Sequence, residues 1–289
     1  MNDAAVIQTP ALPPSELERL DARFPARSVA VRGGAVSVRE CGNGPAIVCL
    51  HGIGSGAASW LDTALLLEAD ARVIAWDAPG YGESTPVDAA VPTAADFADR
   101  LHGLVDALGL ASFVLVGHSL GALTAACAAR PGSSLAARIR QLVLISPAGG
   151  YGAPSRAEAS QRVRTQRLAT LDQIGIAGMA AQSAARLLSE GAGTQARQWV
   201  RWNMARLNES GYRQAVELLC GGDLLAELPP AMPVRVAVGE RDVVTTPESC
   251  REVADGCGVA LELIADAGHA SYVERPQAVA ALLRDVLAT

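Results

Sequence analysis

Three side chains of the types that acyl transfer requires stand directly after runs rich in Val, Leu and Ile. Ser119 follows "FVLV", Asp242 follows "VRVAV" and His269 follows "LELIA". A serine hydroxyl is nearly inert at neutral pH unless a base removes its proton as it attacks. Imidazole suits that task because its pKa lies near neutrality and it can return the proton to the leaving group. A carboxylate behind the imidazole selects its tautomer and stabilises the imidazolium that forms. Ser119 is therefore the candidate nucleophile, His269 the candidate base and Asp242 the candidate acid that orients it.

The local sequence around Ser119 carries a mechanical requirement. In Gly117-His118-Ser119-Leu120-Gly121 an apolar strand must pass sharply into a helix of small residues, and glycine at both flanks removes Cβ atoms that would collide. The oxyanion of a tetrahedral intermediate needs two donors already in place. The backbone N–H of Leu120 is one expected donor, and that of Ile53, in the loop after "AIVCL", is the other. Glu240, Asp77 and Asp266 also stand after strands and rival Asp242, although Asp77 is expected to shape its own turn in "DAPGYGES". Among the remaining histidines, His51 is expected to brace the oxyanion loop, His102 to lie on an amphipathic helix and His118 to point away from Ser119.

Side chains so far apart in the chain need a scaffold to bring them together. "SVAVRGGAVSVREC" reads as a hairpin turning at Gly33-Gly34, and "AIVCL", "RVIAW", "FVLV", "LVLIS", "VRVAV" and "LELIA" read as buried strands. Helical patterns separate most of them; in "TAADFADRLHGLVDALGL", Phe97, Leu101, Leu104, Val105 and Leu108 share one face. Strands that are apolar throughout and alternate with helices imply a parallel sheet covered on both faces. The fold class expected is α/β: a mostly parallel doubly wound sheet with an antiparallel N-terminal hairpin and a helical cap. Residues 1–25 read as a tail or arm, 26–149 and 229–289 as two parts of the core, and 150–228 as an all-helical cap insertion. Ligands bind at the carboxyl ends of such strands, where the candidate residues stand.

Composition narrows the chemistry. In 289 residues with a net charge of −6, nothing points to nucleic acid or an anionic membrane surface as a partner. All 24 basic residues are arginine, which rules out Schiff-base catalysis and lysine-tethered cofactors. The six cysteines form no C-x-x-C pair, several lie in apolar runs, and a reducing cytoplasm is the expected setting. The N-terminal stretch lacks the basic-then-apolar order of a signal peptide, and no apolar run is long enough to span a bilayer.

These motifs together resemble the α/β-hydrolase superfamily. "HGIGSG" matches its H-G-x-x-x-G loop, "DAPGYGES" its D-x-P-G-x-G-x-S loop, "GHSLGA" its nucleophile turn, "GERDVVTTP" its acid loop and "GH" at 268–269 its terminal histidine. The order Ser, Asp, His is also that of the superfamily. The resemblance implies hydrolysis of a small-molecule carbonyl substrate with no metal or organic cofactor, and leads to a serine hydrolase of a small ester, thioester or lactone. "HGIGSGAASW", "LVLISPAGGYG" and "RWNMARL" are similar to hydrolases that break a carbon–carbon bond in vinylogous 1,5-diketones from aromatic ring cleavage. In that family a cap arginine grips the substrate carboxylate, which makes Arg201, beside Trp202, the expected position; Gly52 is the further candidate for substrate contact. The chain departs from that family at Ala122 and at Ala270, which follows the histidine. A cofactor-free haloperoxidase or perhydrolase, and a ligand-binding receptor on the same fold, are the other readings that the resemblance leaves open.

Overall fold

The computed structural model describes residues 11–288. One eight-stranded sheet runs through the protein in the order β1-β2-β4-β3-β5-β6-β7-β8. Its strands are β1 (Ala26–Val31), β2 (Gly34–Cys41), β3 (Ala46–Leu50), β4 (Arg72–Trp76), β5 (Phe113–His118), β6 (Ile139–Ile145), β7 (Val234–Gly239) and β8 (Leu261–Ile264). The β1–β2 hairpin turns at Gly33 and Gly34, whose φ values of 80° and 134° suit glycine. β2 is also antiparallel to β4, and every pairing from β4 onward to β8 is parallel.

The continuous apolar runs follow from burial on both faces. Val48, Leu50, Ile74, Trp76 and Leu115 point into one core layer, while their neighbours Ile47, Cys49, Val73, Ala75, Val114 and Val116 point into the other. Helices α3 (Ala94–Ala107), α4 (Gly121–Ala129) and α8 (Pro247–Cys257) close the first layer. Helices α1 (Pro14–Arg23), α2 (Leu61–Leu67) and α10 (Pro276–Ala288) close the second. Each fully buried Val, Leu or Phe in these layers stabilises the fold by about 1.5–3 kcal/mol. Thr93 caps α3 in a reciprocal box with Asp96, so the helix starts where the sequence pattern places it.

The N-terminal arm is more ordered than a tail. Over Pro14–Arg23 it is helix α1, with Leu20 and the following Phe24 fully buried. Arg19 pairs with Asp62 on α2, and Glu16 accepts from Trp199 Nε1 at 3.2 Å. Residues 1–10 of the expected arm lie outside the described residues.

Between β6 and β7 the chain leaves the sheet and forms α5 (Ala157–Leu187), α6 (Thr194–Ala205) and α7 (Glu209–Gly221). α5 breaks at Gly175, whose φ of 60° and ψ of −177° are non-helical. The remaining helix, α9 (Ser271–Glu274), follows β8. Among the described residues no helix is long and apolar enough to cross a membrane.

Candidate active site

Ser119 stands between the end of β5 and the start of α4 with φ at 51°, a left-handed conformation that non-glycine residues seldom adopt. The strain is held by hydrogen bonds on both sides. Ser119 N–H donates to the Ile145 carbonyl at 3.1 Å, and its own carbonyl accepts from Ala122 and Ala148. A β-carbon at Gly117 would lie 2.8 Å from Ala122 Cα, and one at Gly121 would lie 2.6 Å from the Leu50 carbonyl oxygen. Both flanking glycines are thus required by close backbone approach.

Asp242 follows β7, is 3% exposed, and accepts from His269 Nδ1 at 2.8 Å. Its Oδ1 also accepts the N–H of Val244 at 2.7 Å and of Thr245 at 3.0 Å. Burial works to raise its pKa, but the bond and charge of His269 together with the Val244 N–H outweigh that and hold the carboxyl below its usual value. With Nδ1 donating to the carboxylate, Nε2 is the basic nitrogen of His269. The rival acids stand elsewhere. Glu240 and Asp266 are exposed, and Asp266 pairs with Arg241. Asp77 accepts from the Ala57 N–H and the Ser37 hydroxyl, tying its loop to the one after β3.

Ser119 and His269 line one cavity of about 440 Å³, a volume suited to a small organic ligand. Gly52, Ile53 and Leu120 share its wall. Among the described residues no hydrogen bond joins the Ser119 hydroxyl to His269, and the backbone N–H groups of Ile53 and Leu120 have no protein acceptor. Catalytic bonds of unliganded enzymes are commonly long or open before substrate arrives. Gly52 is confined by Ser119 itself, since a β-carbon there would lie 2.9 Å from Ser119 Cβ.

The peptide between Gly52 and Ile53 is held by His51. Ala78 N–H donates to His51 Nε2 at 3.0 Å, so Nδ1 carries the proton and donates to the Gly52 carbonyl at 2.8 Å. Fixing that carbonyl fixes the opposite end of the same peptide plane, the Ile53 N–H. Burial lowers the pKa of His51, which keeps the ring neutral in this role. Tyr81 adds a second tie by donating to the Ile53 carbonyl at 2.8 Å.

His118 corrects the expectation that it points away. Its ring lies among the residues lining the cavity, 4.8 Å from the His269 ring and 4.6 Å from that of Tyr272. Its Nε2 donates to the His269 carbonyl at 2.9 Å. Burial and the neighbouring His269 push its pKa down to about 3, so its ring is neutral beside that of His269.

The sequence reading also missed Thr245 and Tyr272. The Thr245 hydroxyl lies 3.0 Å from Asp242 Oδ2 and 3.2 Å from His269 Nδ1. Tyr272 stacks on Trp60 and meets the Ser55 hydroxyl at 2.8 Å.

Arg201 and Trp202 do not line this cavity. Val200, Asn203 and Met204 face it, and that helical register turns Arg201 outward, where it is exposed. Trp202 packs edge-on against Trp199 and under the Arg206 guanidinium. The cavity instead meets Arg156, Arg167 and Arg186 from the helical insertion, and no Asp or Glu among the described residues lines it. Arg167 is half-buried and donates to the Tyr212 hydroxyl at 3.4 Å.

A sheet of this order with a strained serine after β5, an acid after β7 and a histidine after β8 defines an α/β-hydrolase fold. The chain belongs to the alpha/beta hydrolase family, whose model matches residues 47–282. It is 34% identical over 122 residues to a 2-hydroxy-6-oxononadienedioate/2-hydroxy-6-oxononatrienedioate hydrolase of Dechloromonas aromatica, a match covering 40% of each chain. It is also 34% identical over 122 residues to a 2-hydroxy-6-oxo-6-phenylhexa-2,4-dienoate hydrolase of Comamonas testosteroni, covering 41% of each. These matches thus span about two-fifths of the curated relatives' length. Among solved structures, the enol-lactonase of Burkholderia xenovorans LB400 superposes with a TM-score of 0.77 at 25% identity, covering 91% of this chain and all of that one.

Proposed function

We propose that the protein is a cofactor-independent serine hydrolase of a small carbonyl compound that bears a carboxylate. The observation that carries this is the shared cavity: Ser119 and His269 both face it, and His269 is backed by a buried Asp242 at 2.8 Å. Ser119 Oγ attacks the substrate carbonyl while His269 Nε2 takes its proton. The Ile53 and Leu120 N–H groups receive the oxyanion. His269 then protonates the leaving group, and a water, deprotonated by the same nitrogen, releases the acid and frees Ser119. The residues of the helical insertion serve as a cap over this site. Arg167 is the group we assign to the substrate carboxylate, since it is half-buried in a cavity wall without acids.

The bond cleaved is that of an ester or enol lactone in the first reading. The second reading is the carbon–carbon bond of a vinylogous 1,5-diketone, and the names of the two bacterial relatives favour it. The test is a screen of purified protein on p-nitrophenyl esters, enol lactones and a ring-fission dienoate, each beside Ser119→Ala. Turnover by the wild type that disappears in Ser119→Ala, with an unchanged thermal midpoint, supports the proposal. Turnover that survives the substitution refutes it.

A further inference from the structure

Glu274 ends α9 and is only 7% exposed, yet among the described residues its carboxylate forms no ion pair. A buried carboxylate is costly unless donors satisfy it, and here three do. Oε2 accepts the N–H of Gly268 at 2.8 Å and the N–H of Ser189 at 3.0 Å, while Oε1 accepts the Ser189 hydroxyl. These donors come from two separate segments. Gly268 immediately precedes His269, and Ser189 lies just beyond α5 at the trailing end of that long helix.

Other contacts tie the same two segments together. On the other side of His269, the Ala270 N–H donates to the Leu187 carbonyl at 2.8 Å. The chains pass so closely that a β-carbon at Gly268 would stand 2.6 Å from the Ser189 nitrogen. Both flanks of His269 are therefore fastened to residues 187–189, and Glu274 is the only side chain in the fastening that reaches both segments among the described residues. Glu274 does not line the cavity, so it has no route to substrate.

We propose that Glu274 is a positioning residue: its carboxylate fixes the main chain of His269 to the end of α5, so that the aim of the imidazole depends on the seating of the helical insertion. This rests on the reading of His269 as the base. In Glu274→Ala both backbone N–H groups lose their acceptor and that arm opens, whereas Glu274→Gln keeps it, with the amide oxygen in the Oε2 place and the amide nitrogen donating to the Ser189 hydroxyl. A displacement of His269 by about an ångström is enough to lower a rate on the order of a hundredfold.

The test measures the rate of Ser119 phosphonylation by a fluorophosphonate across pH, at temperatures well below each variant's thermal midpoint. Glu274→Ala is expected to react about ten- to a hundredfold more slowly than wild type, with the midpoint of its pH profile displaced, and Glu274→Gln to recover most of that rate. Ser189→Ala, which removes one donor and leaves both backbone bonds, is expected to slow the reaction about threefold and covers the case of a Glu274→Ala that fails to fold. Wild-type rates and profiles in folded Glu274→Ala or folded Ser189→Ala, with only a lower thermal midpoint, would overturn the positioning role. A wild type that reacts no faster than His269→Ala would instead overturn the assignment of the base itself, and the inference with it.

Discussion

Gly52 passes so close to Ser119 that a β-carbon at position 52 would stand 2.9 Å from the Ser119 Cβ and 3.3 Å from its Oγ. The neighbouring peptide carries the Ile53 N–H, so any relief of that contact shifts the group proposed to receive the oxyanion. Gly52→Ala is expected to lower kcat by about a hundredfold or more with little change in KM, the scale of losing one such donor. Steady-state kinetics beside a thermal melt checks this, and a variant with wild-type kcat would show that the loop has room to give.

Asp242 and Thr245 act on the same nitrogen of His269 with very different strength. Asp242→Asn leaves a neutral amide that does not hold the required tautomer, and kcat is expected to fall by about four orders of magnitude. Thr245→Val removes a hydroxyl placed to donate to the Asp242 carboxylate or the Ser146 carbonyl but leaves the carboxylate and its bond to His269, and is expected to cost about tenfold. Equal losses in the two variants would contradict the ranking.

Histidine 118 makes stability depend on pH. Burial and the adjacent His269 hold its folded pKa at about 3, whereas an unfolded histidine protonates near ~6.5. Between those values the unfolded chain binds a proton that the folded protein refuses, so stability falls as the pH falls through that window. His118→Gln keeps a donor toward the His269 carbonyl and removes the titration. Its unfolding free energy is expected to change with pH less steeply than that of wild type, by about 1.4 kcal/mol per pH unit. Urea denaturation at several pH values measures both slopes, and identical slopes would contradict the shift.

Arg167 and Arg201 separate a cavity wall from an outer helix face. Arg167→Gln is expected to raise KM at least tenfold for substrates with a carboxylate and to leave neutral esters nearly unchanged. Arg201→Gln is expected to alter neither, because its side chain is exposed and outside the cavity. A selective loss in Arg201→Gln would restore the carboxylate-gripping role to it.

What was legible in the sequence is what is local. The strands "AIVCL" and "RVIAW" coincide with β3 and β4 because burial on both faces makes them apolar but for the leading Arg72. The convergence of Ser119, Asp242 and His269 was legible because each sits in the first residues after a strand, where the sheet itself delivers them to one end. Arg201 was misplaced because the stretch "RWNMARL" does not say which face of α6 meets the cavity; packing by Val200, Asn203 and Met204 decides that. Thr245, Tyr272 and Glu274 left no signal, since the groups that they touch are supplied by distant segments. α1 was hidden by a charged, proline-led stretch whose few apolar positions, Leu20 and Phe24, gain meaning only against the second core layer.

The proposed transfer of the substrate acyl group to the residue 119 hydroxyl is the step on which the account stands, and rapid-quench mass spectrometry tests it directly. With a p-nitrophenyl ester in excess, the wild type should gain one acyl mass, mapped to the peptide containing Ser119, and His269→Ala should gain none on the same timescale. Sustained turnover with an unmodified peptide at 119, or an acyl group on a different residue, would contradict it.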